Sequence, residues 1–432
     1  MNAYESGRVA ALLEKHNFTP AESAESADII LLNTCSVRQK AADKIYSELG
    51  RLKKLKLTNP RLLIGVGGCL AQHESDKLLK QFSCIDLIYG TQALARLPAL
   101  VRAATQGKRV LDVEPDAART MYARLPRSVI VRGQTGAFVS IMQGCNNYCT
   151  YCIVPYVRGP EWSRTPEDVL NEARQLIDAG VREITLLGQN VNSYGKTLSP
   201  PIAFNALLHR LNKLAGLERL RFITSHPRDL SDGLIDCFAK LDKLCEHIHL
   251  PLQSGSDRIL LAMNRSYTGG QYIRLIEKLR AARPDISITS DIIVGFPGET
   301  ERDFESTREV IARIRFDDLF IFHYTDRAGT RACSLPDKIA YSTRVQRLKE
   351  LNTLQRTISR QRNELLVGTS QAVLFETPSS RSGACLAGRT RSNKVVNCPA
   401  QHSMLGRTAR VLIHKAGIHS LSGTLLHEQE NL

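Results

Sequence analysis

The sequence predicts an α/β protein in which a parallel-sheet unit, a six-fold βα partial barrel and a small β-barrel follow one another. Three observations lead there. Two short apolar runs bounded by breakers, Asp28 to Asn33 and Leu62 to Gly67, are each followed by a helical stretch, the pattern of βαβ units. From Ala137 onward, strand and helix patterns alternate six times. After Val367, short β-like runs separated by glycines replace both patterns.

In chain order, the first two runs each end in a cysteine, at Asn33-Thr34-Cys35 and Gly67-Gly68-Cys69. A parallel sheet puts both thiols on one carboxyl edge. Lone cysteines are otherwise ordinary core residues. Thr105 to Gly136 is charged and has little helical periodicity, with Asp112, Glu114 and Asp116 ahead of Arg119, Arg124, Arg127 and Arg132. It reads as a linker (105–136) between a first domain at 1–104 and a second at 137–366. Strands of the second are expected at Ala137 to Met142, Glu183 to Leu187, Leu220 to Thr224, His247 to Leu250, Ser287 to Val294 and Leu319 to Phe322. A helical pattern from Tyr341 to Leu366 closes it, with Arg344, Arg347, Lys349, Arg356, Arg360 and Arg362 against Glu350 and Glu364. Residues 367–432 form the third domain.

The chemistry is expected in one loop. Cys145, Cys149 and Cys152 stand at CxxxCxxC spacing, directly after the first barrel strand. Open α/β sheets and barrels carry their chemistry at that carboxyl edge. Three thiolates are one too few for the four irons of a 4Fe-4S cluster, so one iron stays open to a reacting ligand. Zinc ordinarily needs a second cysteine or histidine pair, and none is near; a redox CxxC of Cys149 and Cys152 leaves Cys145 without a role.

The chain carries a net charge of +15, which favours a polyanionic partner. No apolar run approaches the ~18 residues of a membrane span and the first ten residues have no signal-peptide core, so no membrane association and a cytoplasmic location are expected. Eleven cysteines in a reducing compartment are ligands or packed thiols. Cys84, Cys237, Cys245, Cys333, Cys385 and Cys398 follow no ligand spacing and are expected to be structural.

The cysteine loop and its continuation, Cys149 to Gly159 (CTYCIVPYVRG), resemble the MiaB-type tRNA methylthiotransferases of the radical S-adenosylmethionine superfamily. The likeness runs on through Leu186 to Gly195 (LLGQNVNSYG), Leu250 to Asp257 (LPLQSGSD), Gly295 to Glu299 (GFPGE) and Gly388 to Lys394 (GRTRSNK). It implies a doubly wound methylthiotransferase domain at the amino end, a radical S-adenosylmethionine (βα)6 partial barrel, and a carboxyl-terminal TRAM domain that binds RNA. It implies that Cys145, Cys149 and Cys152 hold a catalytic 4Fe-4S cluster which chelates and cleaves S-adenosylmethionine. The radical so formed takes hydrogen from C2 of N6-prenylated adenosine at tRNA position 37.

The resemblance also makes Cys35 and Cys69 ligands of a second, auxiliary 4Fe-4S cluster that carries the sulfur to be methylated and transferred. The family's third ligand falls before the residues that match Met1 to Ser6, so that site is expected to lack a ligand in this chain. Gln189, Gln253 and Ser254 are expected polar contacts to S-adenosylmethionine, with Gly295, Gly298 and Glu299 shaping its adenosyl pocket; a tight turn without ligand would also account for each glycine. Arg158 and Arg164 are expected to face the tRNA anticodon stem-loop, and Arg389, Arg391 and Lys394 to contact phosphates. Implied partners are a reductant such as flavodoxin or ferredoxin and iron-sulfur or sulfur-delivery proteins. Competing readings are a methylthiotransferase acting on a ribosomal-protein aspartate or on threonylcarbamoyladenosine in tRNA, and a zinc-stabilised RNA-binding protein without catalysis.

Overall fold

A computed structural model describes residues 2–34, 39–115, 134–379 and 385–426. They fall into two compact units. The first comprises residues before 130 together with Gln143–Tyr148 and Cys152–Glu161; the second comprises Ile130–Met142, Cys149–Tyr151 and Trp162–Leu432. Among the described residues no helix is long and apolar enough to cross a membrane.

The first unit is built on four parallel strands that lie side by side in chain order: β1 (Ile29–Thr34), β2 (Leu63–Gly68), β3 (Leu87–Tyr89) and β4 (Val110–Asp112). Every residue of β2 is buried, as a strand covered on both faces must be, which is why it reads as an unbroken apolar and glycine run. Leu49 and Leu52, from the helix Gln39–Thr58, pack with Ile64, Val66, Leu78 and Ile88. β4 corrects the expected linker, because Val110–Asp112 pairs with β3. Arg96 grips both oxygens of Asp112 at 2.7 Å, so the acidic character that suggested a linker belongs partly to an ion pair at a sheet edge. Asp116, Arg119, Arg124, Arg127 and Arg132 lie outside the described residues.

The carboxyl ends of β1 and β2 approach closely. Thr34 and Gly68 are partners in register, and Thr34 Oγ1 donates to the Gly67 carbonyl at 2.5 Å. Gly68 has φ +91°, and a Cβ there would meet the Thr34 carbonyl oxygen at 2.4 Å. Only glycine meets both demands.

In the second unit, β5 (Gly136–Ser140) opens the barrel, and the short strands β6 (Met142–Gln143) and β7 (Trp162–Ser163) lie at either end of the cysteine loop. The remaining barrel strands are β8 (Glu183–Leu187), β9 (Arg219–Phe222), β10 (His247–His249), β11 (Ser287–Val294) and β12 (Asp318–His323). β5, β8 and β9 form one parallel group, β10, β11 and β12 another. A parallel bridge from Leu220 to Leu244, just before β10, joins them. The result is an open arc of six parallel strands in chain order, as the six-fold alternation predicts. Alternate residues (Val139, Ile184, Leu186, Leu220, Phe222, Ile248, Ile288) enter one core with helical residues such as Val169, Leu176, Leu207 and Leu279. Side-chain caps start the helices soon after the loops: Thr165, Ser231 and Ser256, with capping boxes at Thr268–Gln271 and Thr300–Asp303.

The helix Tyr341–Glu364 leads to a closed barrel of β13 (Ser370–Pro378), β14 (Cys385–Thr390), β15 (Val395–Pro399), β16 (Thr408–Ala416) and β17 (Leu421–Leu425) around Val373, Phe375, Leu386, Val396, Val411 and Ile413. It docks at the amino ends of the arc. Arg219, first residue of β9, donates to the Arg389 and Ala372 carbonyls at 2.8 and 3.0 Å. Arg221 donates to those of Arg391 and Thr390 at 2.7 and 2.8 Å. Of the six cysteines expected to be structural, Cys84, Cys237, Cys245 and Cys398 are buried, and Cys333 and Cys385 are half-buried; all six are free thiols.

Candidate active site

The cysteine loop is shaped by its own backbone. Gly144 has φ +77°, and a Cβ there would lie 2.1 Å from the Pro160 carbonyl oxygen. Cys145 N–H donates to the Gly159 carbonyl at 3.2 Å, and Asn146 Oδ1 accepts from Glu161 N–H at 3.0 Å, so the stretch after the thiols returns against the stretch before them. Cys145 and Cys152 belong to the first unit and Cys149 to the second. Cys145 and Cys149 are buried; Cys152 is half-buried. Among the described residues no three His, Cys, Asp or Glu side chains converge as they would on a single metal ion. A cubane spreads its thiolates over different irons, so its ligands need no common point.

Within the second unit, Thr150 is pinned by its N–H and hydroxyl to the Met263 and Ala262 carbonyls, at 3.1 and 2.9 Å. Next to it, Arg265 donates to Cys149 Sγ at 3.6 Å, to the Tyr267 hydroxyl at 2.7 Å and to the Pro251 carbonyl at 2.8 Å. Burial opposes the Arg265 charge, yet Tyr267, Tyr151 and Cys149 hold its pKa above the ordinary value. A buried cation thus faces one of the three sulfurs, and the sequence reading missed it.

The loops after β8, β9 and β10 hold buried polar atoms with no protein partner: Asn190 Oδ1, Ser225 Oγ, His226 Nε2 and Gln253 Oε1. Such atoms are costly without a ligand. The groups that carry them are otherwise firmly held. Asn190 Nδ2 donates to Asp229 at 2.7 Å, while Asn192 and His226 exchange side-chain-to-backbone bonds at 2.9 Å. His226 Nδ1 accepts the Arg228 N–H at 3.2 Å, which leaves the ring proton on Nε2. Burial, with the Arg265 charge second, pushes this imidazole down to about 2, so it is neutral. Gln253 adopts φ +75° and is fixed by backbone bonds to Asp291 and Ile293. Of the four, only Gln253 was expected. Ser225 and His226 could have been found as the polar pair following β9, at the same edge as the other motifs.

The other expected cofactor contacts separate. Gln189 is half-buried beside Asn190. Ser254 is fully buried, but its hydroxyl bonds Thr307 at 3.3 Å and accepts Ser256 N–H at 3.2 Å, so it holds a turn together. Gly295 and Gly298 both have positive φ, the tight-turn alternative. Glu299, expected to shape the adenosyl pocket, accepts Gly295 N–H at 2.6 Å and Arg347 at 2.7 Å through Oε2, bracing that turn internally. Burial pushes the Glu299 carboxyl up to about 7, against the Gly295 bond and the Arg347 charge.

Four of the five expected RNA contacts have acidic partners within the protein. Arg158 is buried in the first unit, where it is ion-paired with Glu5 and donates to Cys69 Sγ at 3.3 Å. Arg164 is buried between Asp168, at 2.7 Å, and Glu172, at 2.6 Å. Arg391 Nε donates to both Glu246 oxygens at 2.9 Å and Nη2 to the Leu244 carbonyl at 2.8 Å. Lys394 reaches Asp317 at 3.1 Å, which Arg362 shares. For Arg158, Arg391 and Lys394 the opposite charge lies buried and far along the chain, where a sequence pattern cannot reveal it, whereas Arg164 pairs with Asp168 four residues on. Arg389 is half-exposed, 3.4 Å from Glu376. Cys69, the expected auxiliary ligand, is buried with Ile153 and Val157 in the first unit; Cys35 lies outside the described residues.

Comparison with known proteins follows the same three parts. Residues 1–90 match the uncharacterized protein family UPF0004, residues 139–311 the radical SAM superfamily and residues 364–426 the TRAM domain. A tRNA-2-methylthio-N(6)-dimethylallyladenosine synthase of Syntrophus aciditrophicus is 47% identical over 99% of this chain and 93% of its own length. Another from Geobacter metallireducens is 48% identical over 98% and 96%. Among solved structures, the radical S-adenosylmethionine methyltransferase TsrM of Kitasatospora setae, with cobalamin and a [4Fe-4S] cluster bound, aligns with a TM-score of 0.59 at 14% identity, covering 77% of this chain and 74% of its own. The cobalamin-dependent radical enzyme OxsB aligns at 0.54 and 13%, covering 82% and 53%. These two likenesses concern the fold.

Proposed function

Because the chain belongs to the tRNA-2-methylthio-N(6)-dimethylallyladenosine synthase family, we propose that it places a methylthio group on C2 of N6-prenylated adenosine at tRNA position 37. It is a radical S-adenosylmethionine enzyme. The observation that carries this reading is the set of unpartnered buried polar atoms, Asn190 Oδ1, Ser225 Oγ, His226 Nε2 and Gln253 Oε1, at the carboxyl edge where the cysteine loop also begins. They are neutral donors and acceptors, suited to a zwitterionic, sugar-bearing ligand such as S-adenosylmethionine.

Cys145, Cys149 and Cys152 would hold a 4Fe-4S cluster, whose bound form supplies the one-electron cleavage that no side-chain acid or base performs. Arg265 holds a positive charge at the Cys149 sulfur and ties it to the Pro251 carbonyl. His226 keeps its proton on Nε2, offering a donor that stays neutral over the whole working pH range. Cys69, with Cys35, would serve an auxiliary 4Fe-4S cluster, and Arg158, itself neutralised by Glu5, orients the Cys69 sulfur. A flavodoxin or ferredoxin would supply the electron, and an iron-sulfur or sulfur-delivery protein the consumed sulfur. The tRNA itself meets the protein through the TRAM domain, with Arg389 as its half-exposed cation.

Nucleoside mass spectrometry of tRNA from cells lacking the gene tests the function. The 2-methylthio group on prenylated adenosine should disappear and the unthiolated prenylated nucleoside accumulate. Retained tRNA methylthiolation together with loss of a modified ribosomal-protein aspartate would reverse the reading.

A further inference from the structure

The inner face of the six-stranded arc carries exposed phenyl rings on its two terminal strands. On β5, Ala137 and Val139 enter the helix-covered core while Phe138 between them is 44% exposed. On β12, Leu319 and Ile321 pack to the core, while Phe320 is 44% and Phe322 36% exposed. A strand sends alternate side chains to opposite faces, so these rings point away from the helices and into the open lumen. Single exposed apolar residues are ordinary, but Phe320 and Phe322 stand side by side on one face of β12, and Phe138 shows the same face at the other end of the arc.

The lumen is not uniformly apolar. Asp291 is in register with Phe320, and His249 lies 3.4 Å from Asp291 through Nε2 and 3.0 Å from Thr289 Oγ1 through Nδ1. The His249 ring meets that of Phe320 edge to face, centroids 5.9 Å apart. Gln253 N–H donates to the Asp291 carbonyl at 2.8 Å, so the wall continues directly into the loop that holds the unpartnered Gln253 oxygen.

We propose that Phe138, Phe320 and Phe322 form the site that recognises the alkenyl-substituted purine, with His249 and Asp291 facing the edge of the base. This rests on the function proposed above, and it names the residues that make the enzyme specific for a prenylated adenosine. A flat base needs aromatic faces, its branched apolar substituent needs a wall without hydrogen-bonding demands, and its ring nitrogens need a few polar groups. The inner face presents all three beside the carboxyl-edge loops.

The test measures the affinity of the full chain for an anticodon stem-loop with the dimethylallyl group and for the same RNA without it, alongside KM and kcat for methylthiolation. The wild-type protein should prefer the prenylated RNA. Phe138→Ala and Phe320→Ala should each cut that preference by roughly tenfold or more and raise KM more than they lower kcat, as loss of an apolar pocket wall does. Phe320→Leu should recover most of the preference. The rings are exposed, so circular dichroism and melting should be close to wild type. Wild-type preference that survives unchanged in both alanine variants would overturn the assignment while leaving the proposed function intact; a wild-type protein that methylthiolates both RNAs alike would overturn the two together.

Discussion

Replacing Arg391 with methionine separates two roles that its sequence context cannot. In the structure Arg391 spends three donor contacts inside the protein, two on Glu246 and one on the Leu244 carbonyl, and these fasten the small barrel to the amino ends of the arc. Its side chain is 26% exposed and that of Glu246 only 6%. Removing one partner of a buried pair ordinarily costs ~3–5 kcal/mol. Glu246 keeps Arg283 as a second partner, which places Arg391→Met near the lower end, about 3 kcal/mol. For a domain of this size that lowers Tm by roughly 6 °C or more. Lys394→Met should cost less, about 1.5 kcal/mol, since Asp317 retains Arg362. The assay pairs thermal melting with tRNA affinity across a salt series. A phosphate contact contributes about 0.7–0.9 to the slope of log affinity against log salt. The expected result is a clear loss of stability at an unchanged slope. A protein of wild-type stability whose slope falls by about one for each substitution would refute the reasoning and restore both cations to the RNA.

Replacing Cys145, Cys149 or Cys152 singly with alanine should abolish 5′-deoxyadenosine formation and the broad absorption near ~400 nm of the anaerobically reconstituted protein, read by chromatography and spectroscopy. Gly144→Ala should leave the bulk fold intact but lower iron content, measured by colorimetric iron assay, because the new Cβ collides with the Pro160 backbone and the φ of +77° disfavours any side chain. Acid stability should be lost as pH falls below about 4. Burial pulls Glu246 and Asp317 upward, but Arg391 for the first and Lys394 and Arg362 for the second hold them below their ordinary 4.5 and 3.8. Their contribution is therefore complete above pH 4.5 and disappears on protonation. Urea titrations from pH 7 to pH 3 should show this fall, and it should be weaker in Arg391→Met.

The sequence carried the architecture well because the signals were periodic or spaced. Six alternating strand and helix patterns became β5 and β8 to β12, and the glycine-broken β pattern after Val367 became a closed barrel. β4 escaped because three residues beside an acidic run give no period to read, and its stability comes from β3 and from Arg96. The internal partners of the cations were harder to read. Lys and Arg on a strand or loop look alike whether they face water or a buried carboxylate, and the partners of Arg158, Arg391 and Lys394 stand up to 153 positions away, while those of Arg164 follow it within the next helix. His226 was overlooked for the converse reason: an isolated histidine before proline has no spacing signature, and only its unpartnered Nε2 sets it apart.

Arg219 and Arg221 bind the small barrel through four carbonyl oxygens, those of Arg389, Ala372, Arg391 and Thr390. A main-chain oxygen is common to every amino acid, so these four bonds are indifferent to which side chains the barrel carries. At these bonds the joint is encoded on one side only. These four bonds would survive a change of side chain on the barrel, whereas the ion pairs of Arg391 with Glu246 and of Lys394 with Asp317 tie those two barrel side chains to the arc. In a saturation library selected for folding, substitutions at Arg219 and Arg221 would be depleted while Ala372, which offers them only a main-chain oxygen, tolerated many residues, so that at this bond the arc is the fixed side of the joint and the barrel the variable one.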